Sequence, residues 1–343
     1  MATERSRESL LEWLLQPADP GPRYLALRDL AGHAADDRGL AEACRLAHTR
    51  GPIADILNGM EPEGYWAKPG PGYLPKYRST VWSVIALAQL GATAAADERV
   101  GRACEYTLSQ GLREGGQFTS GGGPSGTVDC LQGSLCASLL DLGVEPERLE
   151  GAFEWMARTV TGEGMASSGE RDALRRYYAS NCGPLFACGA HNRTPCAWGG
   201  AKVMQAFARW PQERRTPLIE RAIAAGVEFF LGSDPVECAY PRGYSPKPNC
   251  AWWKFGFPVF YVGDLLQAAE ALVALGWGAD PRLANTLAYI EGKSDEQGRW
   301  ALEYDYSGKT WTDFGPKRQP SKWVSVRALR VLEGARTPGE LED

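Results

Sequence analysis

An internal repeat of roughly 50–70 residues constrains the fold of this 343-residue chain more than any other sequence feature. The full pattern has a Gly-aromatic turn, an apolar segment that ends at a Leu-Gly pair, and an acid-Arg sequence that opens a second segment, and the later copies keep only parts of it. The turn stands at 64–66, 116–118 and 298–300, and the Leu-Gly pair at 90–91, 142–143 and 275–276. Because repeats of this size are typical of stacked helix pairs, we expect a helical chain.

The apolar residues within each copy indicate how the helix pairs are arranged. In the first segment of a copy they recur at i, i+3, i+4 and i+7, which gives one strongly buried stripe, and the glycine that follows favours a left-handed helix end. Five copies occupy residues 51–335, residues 1–50 supply another helix pair, and 336–343 form a tail. Six pairs can close a ring. We therefore predict a single all-α domain, an (α/α)6 toroid with the first helix of each pair lining its inside.

The charge balance and the apolar content disfavour several classes of partner. Lys and Arg number 37 against 42 Asp and Glu, so the formal net charge is −5, and a nucleic acid is not an expected partner. No apolar run approaches the roughly 18 residues that span a bilayer, and the amino-terminal sequence is charged. We therefore expect a cytoplasmic protein whose nine cysteines are reduced and available for metal or thiol chemistry.

The Gly-aromatic turns also carry a family resemblance. The sequence Asp-Glu-Gln-Gly-Arg-Trp at 295–300 is similar to the Gln-Trp repeat of squalene cyclases, and residues 50–335 resemble the terpenoid cyclase and protein prenyltransferase superfamily of α/α toroids. This resemblance implies a central cavity for a hydrophobic substrate and cyclase or transferase chemistry. However, no Asp-x-Asp-Asp motif occurs, and the adjacent Asp36 and Asp37 lead to Leu40 where the magnesium motif has its last aspartate. Polyene cyclisation through either motif therefore lacks its residues.

The protein prenyltransferases and the lanthionine cyclases, both toroids, hold zinc through Cys, His and Asp at the mouth of the ring. Alignment of the copies on the Leu-Gly pair places Cys130 and Cys196 at equivalent starts of neighbouring first helices. Cys182, Cys188 and His191 precede Cys196 with the spacing C-x5-C-x2-H-x4-C, and thiolate and imidazole are ligands that zinc prefers. We predict a zinc site made of Cys130, Cys182, His191 and Cys196, with Cys188 as the exchangeable ligand.

The zinc motif departs from both toroid families. Asp129 and Cys130 are adjacent, whereas prenyltransferases have one residue between the Asp and the Cys. His191 precedes Cys196 by five residues, whereas in lanthionine cyclases a His directly follows a Cys. The predicted zinc site therefore does not imply the substrate of either family. The alternative is that the cysteines are small core residues and that His191 forms a hydrogen bond within a loop.

Aromatic and polar residues near the predicted mouth are candidates for contact with a substrate. They are Tyr77, Arg78, Trp82, Trp198, Trp252 and Trp253. The long loop at 238–257 is rich in aromatic residues and proline, and is either a lid or a rigid plug. The alternative for the tryptophans is packing in turns and in the core. Asp129 is the candidate general base, and its alternative role is that of an acidic residue at a helix N-terminus.

Together these features predict a toroidal, zinc-dependent transferase or cyclase/lyase that acts on a hydrophobic or thiol-containing small substrate. The second hypothesis is a non-catalytic toroid that binds a ligand or a protein and whose zinc only fixes the loop at 182–196. Zinc coordination separates the two hypotheses. A position open to water or to a substrate thiol indicates an enzyme, and four protein ligands indicate a structural ion.

Overall fold

Helices make up nearly all of the regular structure in a computed structural model that describes residues 2–34, 36–173, 175–177 and 181–336. The predicted all-α class is confirmed, because these residues form 13 α-helices and only two strands of two residues each. The helices are α1 (Ala2–Leu14), α2 (Pro20–Asp29), α3 (Arg38–Thr49), α4 (Pro52–Asn58), α5 (Thr80–Gln89), α6 (Glu98–Gly111), α7 (Asp129–Asp141), α8 (Glu150–Thr161), α9 (Ala197–Arg209), α10 (Pro217–Leu231), α11 (Leu265–Leu272), α12 (Ala284–Gly292) and α13 (Lys322–Arg336). None of the described helices is long and apolar enough to cross a lipid bilayer.

The two strands form a small antiparallel hairpin before α9. They are β1 (Ala187–Cys188) and β2 (Thr194–Pro195), and Cys188 pairs with Thr194. The backbone N–H of Cys196 donates to the carbonyl of Phe186 and so continues the pairing to the start of α9. The hairpin therefore fixes the chain that enters α9.

The Gly-aromatic turns have the same local structure in different copies of the repeat. The indole N–H of Trp66 donates to the carbonyl oxygen of Ile56 at 2.7 Å, and that of Trp300 donates to Ile290 at 2.7 Å. In both copies the acceptor lies ten residues earlier, at the end of a preceding helical segment. Both tryptophans are buried, so each indole contributes apolar packing together with a satisfied N–H. The sequence repeat therefore corresponds to a structural repeat.

The Leu-Gly pairs end helices in the predicted way. Gly91 follows α5 with φ +81°, a left-handed conformation that suits glycine. A Cβ atom at Gly91 would lie 2.7 Å from Cδ2 of Leu25 on α2. The glycine thus provides both the turn and a close contact between the end of α5 and α2.

The first helices of successive copies pack against one another along the chain. Contacts join α5 to α7, α7 to α9, α9 to α11 and α11 to α13, and α13 also packs against α2. Residues Thr80–Ala88 of α5 are all buried, whereas α6 buries residues at a helical spacing on one side. A helix that is buried all round must be surrounded by other elements, so α5 is enclosed whereas α6 is covered on one side only.

A glycine permits the close approach of α7 and α9. A Cβ atom at Gly133 of α7 would lie 2.5 Å from the carbonyl carbon of Lys202 on α9, which is too close for any side chain. Backbone atoms cannot move aside as the end of a flexible side chain can. The first turns of these two helices are therefore held next to each other, and they contain Asp129, Cys130 and Cys196.

We predict that Gly133→Ala destabilises the protein by about 1–3 kcal/mol, because the added methyl group forces α7 and α9 apart. The matched control is Gly101→Ala in α6, where the nearest atom to an added Cβ is 3.6 Å away. This control should stabilise the protein by about 0.5–1 kcal/mol through the helix propensity of alanine. Both values are measured by denaturant unfolding, and equal effects of the two substitutions would contradict the close contact.

Candidate functional site

Cys130, Cys188 and Cys196 lie in the same region, where α7 and α9 begin. Asp129 and Cys130 are the first residues of α7, Cys196 immediately precedes α9, and the hairpin brings Cys188 beside Cys196. The three thiols are close enough that negative charge on Cys196 or Cys188 would raise the pKa of Cys130. The expectation that Cys130 and Cys196 meet at neighbouring helix starts therefore agrees with their positions.

Burial keeps these thiols in their neutral form. Burial raises the pKa of Cys130 to about 12, although the nearby Lys202 lowers it. Burial also raises the pKa of Cys196, while the backbone N–H groups of Gly199 and Trp198 at the start of α9 act in the opposite direction. The neutral thiol is therefore the main form of each near neutral pH, and the reactive thiolate is a small fraction.

Asp129 is a buried carboxylic acid beside these thiols. Only 5% of Asp129 is exposed. Burial raises the pKa of its carboxyl well above the usual value, and a hydrogen bond from the N–H of Gly183 acts in the opposite direction. Its Oδ2 atom is buried and has no hydrogen-bond partner within the described part of the chain. Burial of Asp129 therefore favours the protonated carboxyl over the carboxylate, and Oδ2 is left without a partner among the described residues.

Lys202 is a second ionisable group that the sequence analysis did not identify. Only 1% of the residue is exposed, and Nζ donates to the carbonyl of Trp198 at 3.2 Å and to Oε1 of Gln267 at 3.1 Å. Burial lowers its pKa, and no ion pair with a carboxylate forms among the described residues. A signal was present in the sequence, because Lys202 lies between small and apolar residues in the segment AWGGAKVMQAF.

The other two predicted zinc ligands are placed differently. His191 donates its Nε2–H to the carbonyl of Pro241 at 2.7 Å, which directs the ring towards the loop at 238–257. Cys182 is buried and precedes Gly183, whose N–H donates to Asp129. In the described ranges, no group of three or more His, Cys, Asp and Glu residues could hold a metal ion as placed. The four-ligand zinc site therefore stays a prediction.

Two of the predicted substrate contacts belong to an aromatic cluster. The ring of Tyr77 lies 5.3 Å from that of Trp82 and 4.5 Å from that of Tyr306, and Phe260 contacts all three rings. Trp82 is 3% exposed, and its indole N–H donates to the carbonyl of Tyr73 at 2.8 Å. These rings pack mainly against one another.

Arg78 and the paired tryptophans fix loops. Arg78 donates from Nε to the carbonyl of Thr310 at 3.2 Å. The indole N–H groups of Trp252 and Trp253 donate to the carbonyls of Pro235 and Val236 at 2.9 and 2.7 Å. Both indoles therefore anchor the loop at 238–257 to the chain that leaves α10.

Two cavities accompany these residues. The smaller, of about 260 Å³, adjoins Cys196 and is lined by Trp198 and Trp252 among others. The larger, of about 620 Å³, is lined by residues of α2, α5, α7, α9, α11 and α13. Its aromatic lining is limited to Phe257 and Trp323, and none of the six predicted substrate contacts lines it. Its charged lining residues are Arg28, Asp29, Asp141, Arg209, Glu270, Arg327 and Arg330.

No known protein family and no curated protein matches this chain in sequence. The candidate site is therefore interpreted from its own residues.

We predict that Asp129→Asn stabilises the protein increasingly as the pH rises. Above the pKa of an unfolded aspartate, the unfolded chain releases the proton while the folded chain retains it. The stability of the wild type therefore falls by about 1.4 kcal/mol per pH unit until the folded pKa is reached. Asparagine does not ionise, so the difference in unfolding free energy between variant and wild type should grow from pH 4 upwards.

The matched control is Asp141→Asn at the other end of α7, where the carboxylate pairs with Arg209 at 2.6 Å on the surface. This variant should show no such growth with pH. Denaturant unfolding at pH 4, 5, 6 and 7 measures both variants, and a constant difference for Asp129→Asn would mean that Asp129 ionises as readily in the folded chain as in the unfolded one.

Proposed function

We propose that this protein is an (α/α)6 toroidal enzyme that binds a hydrophobic substrate and transfers a proton to it from Asp129. The arrangement of helices supports the toroid. The first helices of successive copies pack in chain order, and α13 packs against α2, which is the neighbour that a closed ring requires. The cavity of about 620 Å³ also takes lining residues from all six of these helices.

The protonation state of Asp129 supports the reaction. An acid catalyst for an apolar substrate must keep its proton at neutral pH and must have no stronger acceptor nearby. In the superfamily that this sequence resembles, neighbouring carboxyls serve this purpose. Here the burial of Asp129 keeps the carboxyl neutral, and the unpartnered Oδ2 has no protein group to which its proton is committed. This single observation carries the proposal.

The surroundings of Asp129 indicate the class of substrate. The neighbouring thiols of Cys130 and Cys196 are neutral and only weakly polar, and they favour an apolar group over an ion. An alkene or an epoxide accepts a proton and becomes electrophilic without needing a charged partner. After transfer, the N–H of Gly183 would stabilise the carboxylate of Asp129. We therefore propose a cyclase or isomerase acting on a small isoprenoid-like molecule.

A substrate screen with squalene, 2,3-oxidosqualene and geranylgeraniol tests this proposal. Product is detected by gas chromatography and mass spectrometry after incubation in deuterated buffer. Protonation of an alkene carbon in squalene or geranylgeraniol should leave one carbon-bound deuterium per product molecule, whereas the deuterium that the epoxide oxygen of 2,3-oxidosqualene takes up exchanges from the product hydroxyl during work-up. Asp129→Asn should lower the rate by about 100-fold or more, because this is the usual contribution of a positioned acid. Asp55→Asn in the first turn of α4, which lines neither cavity, should retain the rate. Product formation by Asp129→Asn at the wild-type rate would refute the role of Asp129.

Zinc binding is the second candidate, and the proximity of three thiols favours it. Cys130, Cys188 and Cys196 provide the soft donors that zinc prefers, although their side chains would have to move to bind one ion. A bound zinc would lower the pKa of the thiols and of a water or substrate thiol in an open position. A toroid with a purely structural zinc is the non-catalytic form of this candidate.

Elemental analysis of protein purified without added metal tests the zinc candidate. Close to one zinc per chain is expected, and Cys130→Ser, Cys188→Ser or Cys196→Ser should each lower the content. His191→Ala is the discriminating variant. Unchanged zinc in His191→Ala indicates the three-thiol set, and a loss of zinc there together with Cys182→Ser supports the originally predicted four ligands. A wild-type protein without zinc removes the candidate.

A further inference from the structure

The cavity of about 260 Å³ beside Cys196 lies between the hairpin and the loop at 238–257. Ala190, His191 and the first residues of α9 line one side of it, and residues from Cys238 to Trp252 line the other. A volume of this size accommodates roughly nine water-sized groups at about 30 Å³ each. It fits a small molecule rather than a polymer.

The basic residues that line this cavity have no acidic residue beside them in the lining. Its lining includes the permanent cations Arg242 and Lys247 and includes no Asp or Glu. One guanidinium N–H of Arg242 donates to the carbonyl of Pro246 at 3.0 Å, which leaves its other N–H groups available. Neither cation forms an ion pair within the described ranges of the chain. The lining therefore favours an anion over a neutral or cationic molecule.

Part of the remaining lining is aromatic and offers ring surface, and His191, Ser245 and Asn249 add polar atoms. Trp252 and Tyr240 line the cavity, but their N–H and O–H groups already donate to the carbonyls of Pro235 and Phe230. Trp198 lines the same space at the first turn of α9. A ligand that fills the cavity thus needs an apolar part as well as its charge.

Cys196 is one of the residues that line this cavity. Among the described cysteines, Cys238 also lines this cavity, but Cys196 is the one placed before a helix. Cys196 can therefore report chemically on what enters the cavity.

We propose that this cavity is an anion-selective binding site for a small carboxylate or phosphate with an apolar part. The anionic group lies against Arg242 and Lys247, and the apolar part lies against Trp198, Trp252 and the Cys196 thiol. Asp129 does not line this cavity, although Cys196 lies both in its lining and near Asp129. Its occupancy can be tested without knowledge of the reaction.

The test compares alkylation of the full chain by iodoacetate, an anion, and by iodoacetamide, its neutral analogue. In both reactions the thiolate of Cys196 attacks the CH₂ carbon, an S–C bond forms, iodide leaves, and the thiol proton passes to solvent. Peptide mass spectrometry gives the rate at each cysteine. The ratio of the iodoacetate rate to the iodoacetamide rate at Cys196 should exceed that of N-acetylcysteine by about 5-fold, the effect of two partly screened cations.

The double variant R242Q/K247Q should return this ratio to the N-acetylcysteine value. Both residues are exposed and make no ion pair in the described ranges, so the variant should fold, and circular dichroism checks this. The matched control is Lys254→Gln on the same loop. Lys254 lies 3.6 Å from Sγ of Cys250 and does not line the cavity, so its replacement should leave the ratio at Cys196 unchanged.

Protection of Cys196 by added ligands distinguishes a carboxylate from a phosphate as the preferred anion. Benzoate and phenyl phosphate should each slow alkylation of Cys196 by iodoacetamide, and the stronger protector identifies carboxylate or phosphate as the preferred group. Benzyl alcohol should protect several-fold less. The proposal is overturned by a ratio equal to that of N-acetylcysteine, by a ratio that R242Q/K247Q leaves unchanged, or by equal protection from benzyl alcohol.

Discussion

The close contact of α7 and α9 at Gly133 determines which groups share the candidate site. Because no Cβ separates the two backbones there, Asp129 and Cys130 from one helix lie beside Cys196 and Lys202 from the other. Asp129 and Lys202 are both buried in this region, and burial disfavours the charged form of each. It raises the pKa of the Asp129 carboxyl and lowers the pKa of the Lys202 amine.

Two buried ionisable residues, Arg327 and Asp129, differ in how many hydrogen-bond partners their polar atoms have. At Arg327 the guanidinium donates to both oxygens of Asp264 at 3.0 Å, to Glu270 and to the carbonyl of Gly256, so its N–H groups are paired. Asp129 has no such partner for Oδ2 in the described ranges. A fully paired cluster stabilises one arrangement of helices, whereas an unpaired buried group costs free energy of about 1–3 kcal/mol. The unpaired group is therefore the better indication of where a ligand is bound.

The sequence was informative where a side chain's role follows from its position in the repeat. The tryptophans of the Gly-aromatic turns bond to equivalent carbonyls, and Cys130 and Cys196 meet because both stand at the start of a first helix. Spacing alone could not place His191, since the hairpin turns the chain between Cys188 and Cys196 and directs the ring towards Pro241. Nor did the sequence reveal that Asp129 is a neutral acid, because its protonation depends on burial by distant segments.

Ion pairs at the first and last described helices have a further consequence. Arg7 near the start of α1 pairs with Glu333 near the end of α13 at 2.7 Å, and Lys322 at the start of α13 pairs with Asp19 before α2 at 2.6 Å. The start of α1 and the end of α13 therefore lie side by side. A short peptide linker can bridge them, and new ends can be opened in an exposed connection elsewhere. Such a circular permutant would keep every helix contact in the molecule. The order of the helices along the sequence could therefore change without a change in how the helices pack.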